Sequence, residues 1–375
     1  MKKKSFAFFF LLFVLAQQMM AKSCYLLTCA PGEKVYEIYG HSALLVVDDE
    51  NIGRVYNYGI FSFSEENFML KFVLGQTNYL LDDDDFYAFL SGRKTDVSLL
   101  KLDLTDIEQN RLDSLLQENM RIENRRYLYN YFNDNCATRI RDLIEKSAHV
   151  SYNEIPAATY RTCVRDCVGD NWQMFGINLL LGAPADTLIS VREQMFLPLV
   201  MEEAFASATV MRDSVTAPLA STPAALIPGR QANHEAQKSL FSPTLFFALL
   251  LMAVVWCTLR EWRKKRWNRA VDALLLLSCG LAGVIVCFVS FFSIHPTVYP
   301  NYVALLLHPL QLVALALLFF SPKSYVYYAC LNLLSLAVMI AIGLCGVQHF
   351  DAGVYLLAAA FFMRAPLIAR RKVNL

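Results

Sequence analysis

The spacing of apolar and polar positions changes character along the chain. Over residues 22–240 apolar side chains come in short runs separated by polar turns, whereas residues 241–369 are dominated by long apolar runs. The first regime opens with an apolar run, residues 24–30, closed by the turn signal Pro31-Gly32. Residues 43–47 and 54–60 flank the polar stretch 48–53 and predict a β-hairpin. Residues 61–81 are rich in aromatics and read as a short helix followed by a strand. The acidic run 82–85 reads as a solvated turn or a helix start. Residues 93–104 alternate as a strand, and Thr105-Asp106 then begins a helix reaching Arg121. Residues 157–205 read as mostly helical. Residues 209–240, rich in Ala, Pro, Ser and Thr with little periodicity, have the composition of a linker.

The second regime holds five candidate membrane spans: residues 241–259, 271–292, 302–320, 326–344 and 350–368. Each is close to the roughly 20 residues a bilayer requires. The loop between the first two carries Arg260, Arg263, Lys264, Lys265, Arg266 and Arg269. Lys323 lies in the next loop on that side, and Arg370, Arg371 and Lys372 lie in the tail 370–375. Positive charge marks the cytoplasmic side, so residues 22–208 are expected outside and the C-terminus inside. Arg364, near the inner end of the last span, is expected to snorkel. The chain start agrees with this orientation. Lys2, Lys3 and Lys4 precede an apolar core over residues 5–16, and Ala21 suits cleavage, so residues 1–21 read as a secretory signal.

Composition fits a membrane protein: 56% of residues are hydrophobic and the mean hydropathy is +0.36. A net charge of +1 offers no electrostatic case for nucleic acid. No zinc-type cysteine spacing, Gly-rich phosphate loop or dinucleotide fingerprint is present, so neither a metal nor a cofactor is expected.

Export bears on the cysteines. The exported part holds Cys24, Cys29, Cys136, Cys163 and Cys167. Thiols tend to pair in an oxidising compartment. Five is odd, so at least one stays free in a monomer. Cys163 and Cys167 either pair locally or staple back to Cys24 and Cys29, and Cys136 is the natural odd one out.

Cys136 also sits in the most suggestive stretch, YNYFNDNCATRIRDLIEK, residues 129–146. Asn133, Asp134 and Asn135 are capping residue types, and Cys136, Ile140, Leu143 and Ile144 follow at helical spacing. A cysteine in a first helical turn meets unpaired N–H groups and the positive end of the dipole, both of which favour thiolate. The competing reading is a buried structural cysteine. A nucleophilic cysteine requires a histidine close in space. His41, at the head of the first hairpin strand after Gly40, is the candidate. Its face of the strand carries Ala43, Leu45 and Val47. If Val47 pairs with Arg54, the facing residues are Tyr56, Tyr58 and Ile60. A slip of one residue brings Asn57 and Gly59 there instead. The orienting partner is therefore Asn57, Tyr56 or Tyr58, with Asn57 chemically simplest. The N–H of Cys136, a neighbouring helix N–H and the amide of Asn135 would hold an oxyanion.

GHSALLV (residues 40–46), YNYGIF (56–61) and NYFNDNCATRIRD (130–142), followed by a helical membrane region, resemble the Lnb-type bacterial lipoprotein N-acyltransferases. The resemblance implies an α+β permuted papain-like (NlpC-type) periplasmic domain followed by an all-α five-helix transmembrane domain. It implies that Cys136 takes an acyl chain from a phospholipid as a thioester. The N-terminal amine of a diacylated lipoprotein then receives that chain, with His41 carrying protons. Tyr39, Tyr58, and the outer-loop residues His295 and Asn301 are the expected substrate contacts. Two other readings use the same residues. One is a membrane-anchored cysteine hydrolase acting on cell-wall peptides or phospholipids; the other is a non-catalytic envelope protein with a structural Cys136.

Overall fold

The short apolar runs assemble into an antiparallel sheet that carries the site. The computed structural model describes residues 22–235 and 241–372. The expected signal, residues 1–21, and the end of the expected tail, residues 373–375, lie outside the described residues. Two compact units are present: residues 22–68, 76–157 and 189–235 form the first, and residues 69–75, 158–188 and 241–372 belong to the second.

The first unit is mixed α+β. Strands β1 (Ser23–Cys29), β2 (His41–Val47), β3 (Gly53–Ile60), β4 (Asn78–Asp85), β5 (Val97–Leu102) and β6 (Arg126–Leu128) are joined by Ala225–Ile227 in one seven-stranded sheet. Its order is Ala225–Ile227, β5, β1, β2, β3, β4, β6. Leu26 and Leu27 in β1 are both fully buried, so the central strand is covered on both faces and reads as a continuous apolar run. The acidic run closes β4. Asp83 pairs with Arg54 at 2.7 Å, and Asp85 caps the next helix, Phe86–Ser91, by accepting from Tyr87 N and Ala88 N. Helix Cys136–Ser147 lays its apolar stripe, Ala137, Ile140, Leu143 and Ile144, against β2, β3 and helix Asp106–Met120.

The expected linker is corrected over much of its length. Thr209–Arg212 pairs with Val215–Pro218 and with Val150–Ser151, and Ala225–Ile227 extends the main sheet beside β5. Asp213 and Ser214 form the hairpin turn with φ of 45° and 68°. Strands of three and four residues are too short to impose a period on an Ala/Pro/Ser/Thr-rich stretch. The expected boundary of the first domain shifts as well, because residues 158–188 belong to the second unit.

The second unit is helical. Among the described residues, four segments are long and apolar enough to cross a membrane: Pro243–Lys264, Arg269–Phe292, Tyr302–Phe320 and Pro322–Leu344. A further helix, Ala352–Lys372, has a shorter apolar part, Ala352–Ile368, and packs along Pro243–Lys264. Gly283 lets two segments meet at backbone distance, since a Cβ there would lie 2.3 Å from the nitrogen of His308.

Arg364 does not snorkel. It is 1% exposed, and its guanidinium donates to both carboxylate oxygens of Asp272 at 3.0 and 2.8 Å, to Glu261 at 2.9 Å and to the Thr258 hydroxyl at 3.0 Å. Two carboxylates on neighbouring helices neutralise the cation where it stands, so its side chain has no need to reach water.

Candidate active site

Cys136 occupies the first turn of its helix, held there by Asn135. The Asn135 Oδ1 accepts from Ala137 N and Thr138 N, each at 2.9 Å, and the Thr138 hydroxyl accepts from Asn135 N at 2.8 Å. This reciprocal capping fixes where the helix begins. The Asn135 amide nitrogen is also committed, donating to the carbonyls of Tyr131 at 2.9 Å and Phe196 at 2.8 Å. The expected oxyanion role for that amide is thereby corrected: both ends of the side chain are occupied and the residue is buried. A short amide following a turn is the commonest helix cap, and that use takes precedence here.

The register of β2 and β3 answers the question left open by hairpin parity. Val47 lies opposite Gly53 and Leu45 opposite Val55, one residue from the pairing of Val47 with Arg54. Asn57 therefore shares the face of His41. The His41 Nε2 and Asn57 Oδ1 are 2.7 Å apart. With the carbonyl oxygen as acceptor, Nε2 carries the ring proton and Nδ1 is left basic. Beyond Leu44 opposite Tyr56 the two strands stop pairing, and β3 bulges between Asn57 and Ile60. The bulge contains Gly59, at φ 87°, where a Cβ would come within 3.5 Å of the Cys136 Cβ. Glycine thus supplies both the left-handed backbone and the room for the cysteine. The backbone N–H groups of Ser42, next to His41, of Ala137 and of Cys136 itself lie near enough to the sulfur to favour its thiolate. Helix start, strand head and bulge converge on one thiol.

The electrostatics depart from the expected thiolate. Burial raises the Cys136 pKa above its ordinary value, against the pull of the Ser42 and Ala137 N–H groups and of the Arg93 charge. Burial and then the Arg93 charge push His41 down to about 3, with the Asn57 contact opposing. At neutral pH Cys136 thus rests as a thiol and His41 as a neutral imidazole. Arg93, half-buried after helix Phe86–Ser91 and stacked 4.6 Å over Phe89, was not marked by its sequence context, because a lone arginine at a strand entry looks solvated. The sign for Cys136 is that of a raised acid: its thiolate is scarce at neutral pH and grows as pH climbs toward the raised value. Site-resolved alkylation of Cys136 should therefore accelerate about tenfold per pH unit between about pH 6 and pH 8. A flat rate across that window would reveal a preformed thiolate–imidazolium pair instead.

Aromatic rings surround the sulfur. Tyr79, Tyr127 and Tyr129 lie close enough to feel its charge, and Tyr79 stacks on Tyr129 with centroids 4.0 Å apart. Phe61 stacks on the far side of Tyr79 at 4.9 Å and meets Tyr36 and Phe63, which are 45% and 55% exposed. A lane of rings thus runs from the surface to the thiol. Tyr39 is half-buried and packs edge-on to Tyr131 at 5.1 Å, next to the Asn135 cap. The Tyr127 hydroxyl is buried without a hydrogen-bond partner.

Several expected site residues serve elsewhere. Tyr58 points to the opposite face of β3, is 1% exposed and accepts at its hydroxyl from Asn119 at 2.8 Å, so the expected substrate contact is a core residue. His295 and Asn301 belong to the second unit. One His295 ring nitrogen lies 3.0 Å from the Phe72 carbonyl. Asn301 is buried and fully occupied: it donates to the Leu179 carbonyl at 2.9 Å and accepts from Val303 N and the Gln348 amide. Asn301 orders its own loop in place of the expected substrate contact.

The expected disulfides are absent among the described residues: Cys24, Cys29, Cys163 and Cys167 are free thiols. Cys24 and Cys29 end the same strand, roughly 16 Å apart at strand rise, far beyond disulfide reach. Cys163 and Cys167 lie one turn apart on helix Tyr160–Val168. Cys136 is singled out by its surroundings rather than by an odd count.

Family models match both halves of the chain. The model described as the Lnb N-terminal periplasmic domain matches residues 15–166, and the one described as the Lnb transmembrane domain matches residues 235–372. The chain belongs to the Lnb family. Its N-terminal domain is accordingly periplasmic and its C-terminal domain lies in the membrane. No curated protein and no solved structure matches the chain. Both GHSALLV and NYFNDNCATRIRD fall inside the periplasmic match, whereas Phe196, whose carbonyl holds Asn135, lies between the two matches.

Proposed function

We propose that this Lnb family member is a cysteine-dependent lipoprotein N-acyltransferase, with Cys136 as nucleophile, His41 as proton carrier and Asn57 as the residue orienting the imidazole. The observation that carries the reading is Cys136 at a capped helix start against the Gly59 bulge, with the backbone N–H of Ser42 favouring its thiolate and His41, the residue before Ser42, bonded to Asn57. In the first half-reaction His41 takes the thiol proton as the sulfur attacks an ester carbonyl of a phospholipid. The C–O bond breaks, and the leaving alcohol of the lysophospholipid recovers that proton. The N-terminal amine of a diacylated lipoprotein then attacks the thioester. Its proton passes through His41 to the departing sulfur, leaving an amide and a free thiol. The N–H groups of Cys136 and Ser42 serve the oxyanion in both halves. The lane of rings from Tyr36 and Phe63 to Tyr79 suits an acyl chain and supports a lipid donor. No step calls for a cofactor.

The first unit is read as a permuted papain-like domain, because His41 precedes Cys136 while papain-like enzymes place the cysteine first; only the geometry is constrained, not chain order. Helix Ala352–Lys372 is read as a fifth span. Ser242 at the start of Pro243–Lys264 and Ala352 line one cavity, so the first and last helices begin on the same side. That arrangement supports a cytoplasmic C-terminus, in line with the basic residues after the first span. The signal peptide, cut after Ala21, completes an inner-membrane topology.

The test is intact mass spectrometry of the purified full chain given phospholipid without acceptor. A mass increment of one acyl chain on Cys136 is expected, sensitive to neutral hydroxylamine and discharged by a diacylated lipopeptide. An increment discharged by water at the same rate with or without lipopeptide would favour the hydrolase. No increment, with Cys136 instead inert in every assay, would favour the structural reading.

A further inference from the structure

The second unit carries an open cleft with a volume of about 460 Å³, in the range typical of small-molecule sites. Its lining combines one cation, two helix starts and two carboxylates: Arg165, Ser242, Ala352, Asp170 and Asp351, with Phe175 as an apolar wall. Arg165 leaves Nη2 buried without a hydrogen-bond partner. The nearest acid, Asp351, is 3.6 Å away, and its two oxygens already accept from the Asn178 amide at 3.0 and 2.9 Å. A guanidinium held beside open volume with an unspent donor is set for an anionic oxygen. The starts of two helices of 22 and 21 residues add their positive dipole ends to the same volume. On the wall beside them, Asp170 is exposed and pairs with no cation among the described residues. The cavity therefore presents donors and positive potential in one part and an uncompensated carboxylate in another.

Its surroundings are those of a membrane surface. Trp172 donates its indole N–H to the Phe241 carbonyl at 2.9 Å and packs against Phe175, Phe246 and Phe247. Such a ring cluster suits the headgroup level of a bilayer. Along the helix that starts there, Leu245, Leu249 and Met252 are 43%, 46% and 59% exposed, as expected for side chains facing acyl chains.

We infer that this cavity is a headgroup site for a zwitterionic phospholipid. The phosphate sits on Arg165 and the two helix starts, and the primary ammonium sits against Asp170. The inference takes from the preceding reading only that these helices cross a membrane; it does not require acyl transfer. A free phosphate would satisfy Arg165 but would leave Asp170 unused and the apolar wall without a partner. An anionic glycerol headgroup would set no ammonium against Asp170.

The experiment uses the full chain carrying Cys136→Ala, so that no acyl turnover intervenes. The protein is delipidated in detergent and titrated with phosphatidylethanolamine or phosphatidylglycerol of identical chains, and the bound lipid is counted by native mass spectrometry. One phosphatidylethanolamine is expected to bind about tenfold more tightly than phosphatidylglycerol. Arg165→Gln should weaken both lipids by about tenfold, and Asp170→Asn should abolish the preference between them. Equal binding of the two lipids, or indifference to both substitutions, would overturn the assignment. Displacement of the lipid by millimolar inorganic phosphate would overturn it in favour of a free-phosphate site. Asp170 is exposed and unpaired, so its variant folds even if Arg165→Gln does not, and the preference alone then decides. Because the thioester experiment reads Cys136 and this one reads binding without Cys136, failure of either leaves the other standing.

Discussion

Cys136→Ala is expected to abolish transfer of an acyl chain to a diacylated lipopeptide by the purified full chain, lowering turnover by about four orders of magnitude. The loss arises because no other described group near the site is a comparable nucleophile: the rings beside the sulfur are tyrosines, and burial pushes the nearby Cys29 thiol up to about 11. Cys136→Ser should restore little. A hydroxyl is a weaker nucleophile than a thiol, and its proton is harder for His41 to remove. His41→Gln should cost nearly as much as Cys136→Ala, and the double variant no more than either alone, because the two act as one unit. Acyl-transfer assays with thermal melting alongside check this. Unchanged melting with lost turnover is the catalytic signature. Full turnover by Cys136→Ala would sink the proposed mechanism.

The largest stability effect is expected far from the site. Arg364→Met leaves the carboxylates of Asp272 and Glu261 facing each other without their shared cation, in a region both helices bury. Breaking such a cluster from one side costs about 3–5 kcal/mol. Replacing all three residues by apolar ones of similar volume should recover most of that loss, since no unpaired charge then remains. Unfolding titrations in detergent measure both variants. A cost below about 1 kcal/mol for Arg364→Met, the range of exposed pairs, would mean that water reaches the cluster.

How much of this was readable beforehand varied with the length scale of the signal. Helix Cys136–Ser147 and its cap were plain because a four-residue periodicity and a capping amide are local properties. The long apolar runs were equally plain, since a bilayer imposes a length that sequence must match. The pairing of His41 with Asn57 was half visible. Strand parity reduced the partner to Asn57, Tyr56 or Tyr58, but the choice depended on a one-residue register set by the turn between β2 and β3. What sequence could not show was long-range commitment. Asn135 looks available for catalysis from its sequence context, yet its amide nitrogen donates to the carbonyl of Phe196, 61 residues later. Asn301 was likewise consumed by Leu179 and Gln348, and Arg364 by acids on two other helices. The short strands after residue 208 were hidden for a related reason: Ala225–Ile227 is a strand only because β5 offers an open edge.

The Asn135–Phe196 bond also orders events in time. The nucleophile's helix start is fastened by a carbonyl that leaves the ribosome well after the helix itself, and residues 158–188, which belong to the membrane-containing unit, are made in between. A nascent chain halted before Phe196 would carry both Cys136 and His41 yet lack the clamp on the cap between them. The complete cap at the Cys136 helix start is thus available only once synthesis has moved past residues 158–188 of the second unit.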